Sequence, residues 1–307
     1  MSGPQRRVAY GLGGVMVVFL VTHVQEAPVT HRWRLMTTPE WIERIVTRSS
    51  FRGVMGEFGN SVLPESHPVS RQVAKVMVRL INAAHDYPDP ETGRRLNLFT
   101  ELGKADIPLD EWRFYVIDDV AMGRPTPNAF VIGGGKVFIF RSILPICEDE
   151  DGLATVLSHE LGHLLADHLG EKLTLSPFLL TLNMAMYSIF GSSRPGDILV
   201  NALLDTSFSR EMETEADYIG LMVMSRACYN PQKAPRLWQN MMKFERQNGQ
   251  TPPELLSTHP SSDRRFRNIS EWMPKAVAVY SDSGCQQAQG FNSLLGGFSG
   301  FGKVSLV

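Results

Sequence analysis

Two imidazoles four residues apart, with a carboxylate beside the first, stand at His159-Glu160-Leu161-Gly162-His163. On a helix, positions i and i+4 lie one above the other on the same face. Neutral imidazoles so placed can grip one zinc ion, and Glu160 projects near enough to take a proton from a water on it. A catalytic zinc site uses three protein ligands and leaves one position open, so two histidines fall one short. The best source of a third lies in Ser209-Arg-Glu-Met-Glu-Thr-Glu-Ala-Asp-Tyr-Ile-Gly220. Alone, Glu211, Glu213, Glu215 and Asp217 would read as a solvated acidic helix face. Beside the upstream motif, metal chemistry becomes the stronger reading. Glu213 and Asp217 are themselves an i, i+4 pair, so one can bind the ion while the other accepts the second N–H of a ligating histidine.

These residues need helices to hold them. Apolar residues at 153, 156, 157, 161, 164 and 165 predict a core-facing helix around the motif. Glu148, Asp149, Glu150 and Asp151 sit where its macrodipole favours negative charge. Gly162 should cost up to about 1 kcal/mol relative to alanine, which suits a place where another backbone or the metal comes close. His168, five residues past His163, falls about 140° round a continuous helix. It is expected to be exposed and outside the metal site. A second helix continues from the acidic stretch through Ala216, Ile219, Leu221, Val223 and Met224.

The remaining elements are supporting structure. Residues 40–58 predict a short helix, and Val69, Val73, Met77, Leu80, Ile81 and Ala84 trace the buried face of another, with Lys75 and Arg79 outside. His85 reads as a helix-end residue, and Asp86–Arg95 as a solvated turn. Arg113–Asp118 reads as a buried strand. Ala129-Phe-Val-Ile and Lys136-Val-Phe-Ile-Phe140, joined by Gly133-Gly134-Gly135, predict a hairpin, with Asn128 a turn former at its start. Ala234–Gln247 reads as a helix with Trp238, Met241 and Met242 in the core. The fold class is therefore α+β, mainly helical, with a small β-sheet beside the motif helix.

Of the 307 residues, 43% are hydrophobic and the formal net charge is −2, which argues against nucleic acid as the main partner. Any membrane attachment must be local. After a short basic N-terminus (residues 1–7), Val8–Gln25 carries no charge, near the lower limit for a spanning helix, and predicts a transmembrane anchor. Arg6 and Arg7 before it and Arg32 and Arg34 after it leave its orientation open. Residues 173–193 are also uncharged but contain Pro177 and Asn183, and fit either a membrane-associated hairpin or a buried helix. The metal-binding domain is expected over 27–280, with 281–307, rich in Gly, Ser, Phe and Gln, as a disordered tail. Cys147, Cys228 and Cys285 are too few and scattered for a disulfide framework or a cysteine zinc site.

His-Glu-Leu-Gly-His followed by Ser-Arg-x-x-Glu-x-Glu-Ala-Asp-x-x-Gly resembles the membrane-associated gluzincin endopeptidases, which include HtpX and the CaaX prenyl proteases. Within them the chain is most similar to the Oma-type peptidases of the mitochondrial inner membrane. Residues 27–34 resemble that subgroup's basic segment, though His31 and Trp33 depart from it. Residues 128–140 resemble its substrate-side hairpin, and Ser257–Arg265 its Thr-His-Pro motif. The resemblance runs from about residue 27 to 275.

It implies a gluzincin-type zinc metallopeptidase domain holding one zinc ion through His159, His163 and Glu213. Glu160 would be general base and acid, and His259 would help hold the oxyanion. Asp217 would support a zinc histidine, and Arg265, or its neighbour Arg264, would support the cleft. Asn128, Ala129, Phe130 and Val131 would bind substrate as an added strand. The implied partners are polypeptides, in particular misfolded or regulatory membrane proteins, together with the membrane itself, and a homo-oligomer is left open. The implied location is the mitochondrial inner membrane. A CaaX-type or HtpX-type processing protease, or an inactive chaperone-like homologue, are the alternatives.

Overall fold

The computed structural model describes residues 3–27, 30–88, 95–101, 107–174, 209–248 and 263–285. Helix α1 (Gly3–Thr22) starts before the uncharged stretch and takes in Arg6 and Arg7. Tyr10, Val15, Val17, Val18 and Val21 on it are exposed. Among the described residues, no helix is long and apolar enough to cross a membrane. Strands β1 (Val24–Glu26) and β2 (Trp33–Leu35) then pair antiparallel, Gln25 opposite Arg34.

Helix α2 (Glu40–Phe58) spans the expected residues and has no fully buried residue. Helix α3 (Pro68–His85) follows its sequence period: Val73, Met77, Leu80, Ile81 and Ala84 are buried, while Lys75 reaches out to Glu150 at 2.9 Å. Of the turn after it, residues 89–94 lie outside the described residues, while Asp86 and Arg95 at its ends are exposed. β3 (Tyr87–Pro88) pairs with β4 (Arg95–Leu96), Tyr87 is buried, and His85 lies 4.8 Å from the ring of Phe99 in α4 (Leu98–Glu101).

The sheet contains β5 (Arg113–Ile117), β6 (Ala129–Ile132) and β7 (Lys136–Phe140) in the order β5-β7-β6. β7 runs parallel to β5 and antiparallel to β6, with Phe130 opposite Phe138. Gly134 and Gly135 have φ of +71°, a left-handed conformation that favours glycine, and this closes the hairpin. β5 is fully buried only at Val116 and Ile117, since its N-terminal half faces the surface.

After α5 (Leu144–Cys147), α6 (Glu150–Leu165) carries the His-Glu-Leu-Gly-His motif. Asp149 caps it, accepting the N–H of Gly152 at 2.9 Å. The helix is buried from Gly152 through His163, on all faces rather than along one stripe, because α3, α7 (Arg210–Arg226), α8 (Ala234–Asn248) and β6 surround it. It stops at Leu165; Asp167 takes φ +56° and residues 168–174 resume as a new helical turn. Of the ambiguous 173–193 segment, residues 175–193 lie outside the described residues. Helix α9 (Asp263–Asp282) packs on α7.

Two expectations need correction here. The expected tail begins a few residues later than 281, since α9 reaches Asp282 and Cys285 is fully buried, and residues 286–307 lie outside the described residues. Cys285 is also bonded to Cys228, their Cα atoms 5.1 Å apart across 57 residues of sequence. The pairing was hidden because the two cysteines meet only when α9 lies alongside α7 in the same direction, so that their C-terminal ends come together.

Candidate metal centre

The two helices that carry the site touch backbone to backbone. A Cβ on Gly162 would stand 2.7 Å from the carbonyl oxygen of Ala216, and one on Gly220 would stand 2.8 Å from that of Ser158. The glycine between the histidines therefore serves the approach of α7. Ser209 fixes the start of α7, its hydroxyl accepting the N–H of Met212 at 3.2 Å. Glu213, in the first turn, is thereby delivered to the motif.

The Nε2 atoms of His159 and His163 are 3.1 Å apart, and the Glu213 carboxylate spans the pair, Oε2 lying 3.4 Å from the His159 nitrogen and Oε1 3.4 Å from that of His163. All three residues are buried. Tetrahedral ligands at about 2.0–2.1 Å from zinc stand about 3.3 Å from one another, and two imidazoles with one carboxylate form a known catalytic zinc set. In spacing and in donor chemistry these residues fit the ion. Glu160 is buried on the same helix, adjacent to His159.

Each histidine is oriented from behind. His159 places Nδ1 3.0 Å from Oδ1 of Asp217. Arg265 forks onto Asp217 with two bonds of 2.7 Å, reaches Glu213 at 3.0 Å, and lies 3.8 Å over the Trp238 ring. Burial alone would raise the Asp217 carboxyl, but Arg265 and His159 hold it below its ordinary value. Arg264 is exposed, so the neighbour left open by sequence is excluded from this fork. Trp238 is core, as expected, and also stands against His159, ring centroids 5.6 Å apart.

His168 corrects the sequence reading. It is fully buried rather than exposed, and its Nδ1 lies 2.7 Å from Nδ1 of His163. Its Nε2 meets Glu215 at 2.9 Å. Extrapolating one continuous helix misplaced it, because α6 breaks at Asp167 and the new turn swings the ring back beneath His163. Glu215, counted only among the acidic residues, is likewise fully buried. Burial holds the His168 imidazolium below its ordinary pKa. Burial would raise the Glu215 carboxyl, but His168, Thr30 and Arg32 together lower it. The sequence offered one signal for this group, the Glu-x-Glu spacing, without saying what Glu215 would meet.

On the hairpin side, β6 is the outer strand of its sheet and packs against α6. Asn128 turns the chain into it: its side-chain oxygen accepts the N–H of Ala129 at 2.8 Å and its carbonyl that of Phe140 at 2.9 Å. Ala129 is buried, while Phe130 and Val131 are half-buried. His259 lies outside the described residues. Cys147 is buried, and burial together with Asp149 pushes its thiol up to about 12, which fits a packing role.

The sequence pattern of peptidase family M48 matches residues 94–273. The mitochondrial metalloendopeptidase OMA1 of Saccharomyces cerevisiae is 39% identical over 279 residues, covering 89% of this chain and 76% of that protein. The Schizosaccharomyces pombe protein of the same name is 38% identical, over 87% of this chain and 72% of its own length. The human metalloendopeptidase OMA1, mitochondrial, is 28% identical, over 89% of this chain and 50% of its own length. The chain belongs to peptidase family M48 and is a metallopeptidase.

Proposed function

We propose that the chain is a zinc metalloendopeptidase of mitochondrial membrane quality control, hydrolysing peptide bonds in misfolded or regulatory membrane proteins at the inner membrane. The observation that carries the reading is the convergence of His159, His163 and Glu213 at the mutual distances of a tetrahedral ligand set. The mitochondrial placement follows the names of the relatives. The exposed apolar residues of α1 support a membrane contact there.

When bound, the ion would bring the pKa of a water towards neutrality and polarise the scissile carbonyl. Glu160, adjacent to a histidine that would hold the ion, is the group that would accept a proton from the attacking water and return it to the leaving amine. Asp217 holds His159 in the tautomer that presents Nε2 to the metal, and Arg265 holds Asp217. His259 stabilises the developing oxyanion. An extended substrate segment adds to the outer edge of β6 at Asn128, Ala129, Phe130 and Val131, recognised through its backbone more than its side chains.

Metal analysis combined with casein cleavage, with and without a chelator, tests the assignment. Zinc near one per chain, chelator-sensitive cleavage, and a Glu160→Gln variant that keeps zinc but no longer cleaves are expected. Proteolysis retained by Glu160→Gln would overturn the role of Glu160. Cleavage confined to prenylated peptides would replace broad quality control with a narrow processing enzyme.

A further inference from the structure

A chain of polar contacts leads from His163 out to the segment that follows α1. Imidazole Nδ1 of His163 faces Nδ1 of His168 at 2.7 Å, and Nε2 of His168 faces Glu215 at 2.9 Å. Glu215 accepts from the Thr30 hydroxyl and from Nε of Arg32 at 3.1 Å. The outer guanidinium nitrogens of Arg32 grip both oxygens of Glu171, one of them at 2.7 Å. Arg34 binds the carbonyl of Ala166, at the end of the metal-bearing helix. His168 and Glu215 are fully buried.

The tautomers along this path are mutually determined. A neutral His163 that presents Nε2 to a metal carries its proton on Nδ1. His168 must then accept at Nδ1 and carry its own proton on Nε2. That proton is donated to Glu215, a carboxylate held by a hydroxyl and a guanidinium. Every donor meets an acceptor, and the negative end lies where it raises the basicity of the ligating nitrogen. His159 has a shorter version of the same arrangement in Asp217 and Arg265.

We propose that His168, Glu215, Thr30 and Arg32 are positioning residues that orient His163 for metal, so that seating of the 30–34 segment sets the affinity of the site. Because this concerns the ligand set assigned above, it rests on that assignment. A buried carboxylate needs its compensating partners. Drawing Thr30 and Arg32 away would leave Glu215 without two of its contacts and loosen the ring beneath His163. The same segment enters β2 of the hairpin that directly follows α1, so displacement of that hairpin reaches a metal ligand through one histidine and one carboxylate.

The test measures the zinc dissociation constant of the full chain by competition with a chelating dye, and the visible absorption of the cobalt-substituted protein. His168→Phe reads the inner end of the chain, and a Thr30→Val, Arg32→Met double variant reads its half-exposed outer end without touching the core. Outer ligand partners are typically worth about 10–100-fold in metal affinity. We expect a loss in that range for His168→Phe and about tenfold for the double variant, each with a shifted cobalt spectrum. Wild-type zinc binding near one per chain separates the two levels of assignment, since its absence would defeat the ligand set itself. Folded variants whose zinc affinity and cobalt spectrum stay within twofold of wild type would overturn the positioning role. If His168→Phe does not fold, the double variant decides alone. A double variant that only loses metal-free stability, with zinc affinity intact, also overturns it.

Discussion

At the scale of single residues the site is governed by buried charge. Arg265 is the one cation bonded to both Asp217 and Glu213 among the described contacts, and all three are buried. Removing one partner of such a group strands the rest, at a cost of about 3–5 kcal/mol. Arg265→Met should therefore destabilise the metal-free protein by that order, measured by equilibrium denaturation with a chelator present. Arg264→Ala, on the exposed neighbour, should stay within about 0.5 kcal/mol. Equal effects would show that the fork is not what holds these carboxylates. Helical spacing made the facing of His159 with His163, and of Glu213 with Asp217, legible in the sequence, whereas the choice of Glu213 over Asp217 as the candidate third ligand came only from a resemblance. Arg265 was legible only through a resemblance and with its neighbour as rival, since nothing local says which of two adjacent arginines turns inward. His168 was misread for a definite reason. Its position depends on a left-handed residue, Asp167 at φ +56°, that ends α6 early, and an aspartate in that conformation leaves no periodic trace.

At the scale of elements, what matters is how closely α6 and α7 approach. Alanine has the better helix propensity, by about 1 kcal/mol over glycine, so Gly162→Ala in an isolated helix would stabilise. Here its Cβ would lie 2.7 Å from the Ala216 carbonyl oxygen, and overpacking of this kind costs about 1–3 kcal/mol. The variant should be destabilised, and zinc affinity should fall with stability, because Glu213 rides on the helix that is pushed away. A stabilised variant with unchanged zinc binding would refute the close-approach role. The cap of α6 behaves independently. Burial would raise Asp149, but the Gly152 N–H and Lys233 hold its carboxyl below its ordinary value. A depressed carboxylate contributes stability that is present above its unfolded pKa, about 3.9, and lost as pH falls through the lower folded value. Asp149→Ala should thus cost about 1 kcal/mol at neutral pH, and the difference from wild type should shrink progressively as pH falls below the unfolded pKa of about 3.9. α3, α8 and the hairpin were legible because period and glycine turn chemistry act locally. The order β5-β7-β6, with a parallel pair, was not legible, because strand neighbours are chosen by packing on α3 and α6. The pattern on α6 also misled in degree: a stripe was predicted for a helix that tertiary packing buries all round.

At the scale of the whole molecule, α9 is fastened to α7 at both ends by different chemistry. Arg265 near its start binds Asp217 and Glu213, while Cys285 just past its end is bonded to Cys228 beyond the end of α7. The first fastening belongs to the metal centre, and the second lies at the far end of both helices. The two should therefore be separable. Joining cysteines 57 residues apart restricts the unfolded chain by about 4 kcal/mol in the loop-entropy account. Strain-free native geometry is required for the full amount, so about 2–4 kcal/mol is the expected loss in a Cys228→Ser, Cys285→Ser double variant. Cys147 should not exchange into the bond, because its buried thiol is held up at about 12 and the thiolate is the reactive form. Zinc affinity of the folded double variant should stay within about threefold of wild type, since mutations at distant sites without shared partners act additively. Denaturant titrations run with saturating zinc and with chelator would then show the same disulfide increment in both. An increment present only with zinc would mean instead that α9 acts as a rigid lever, passing the state of its C-terminal bond to Arg265 and through it to His159.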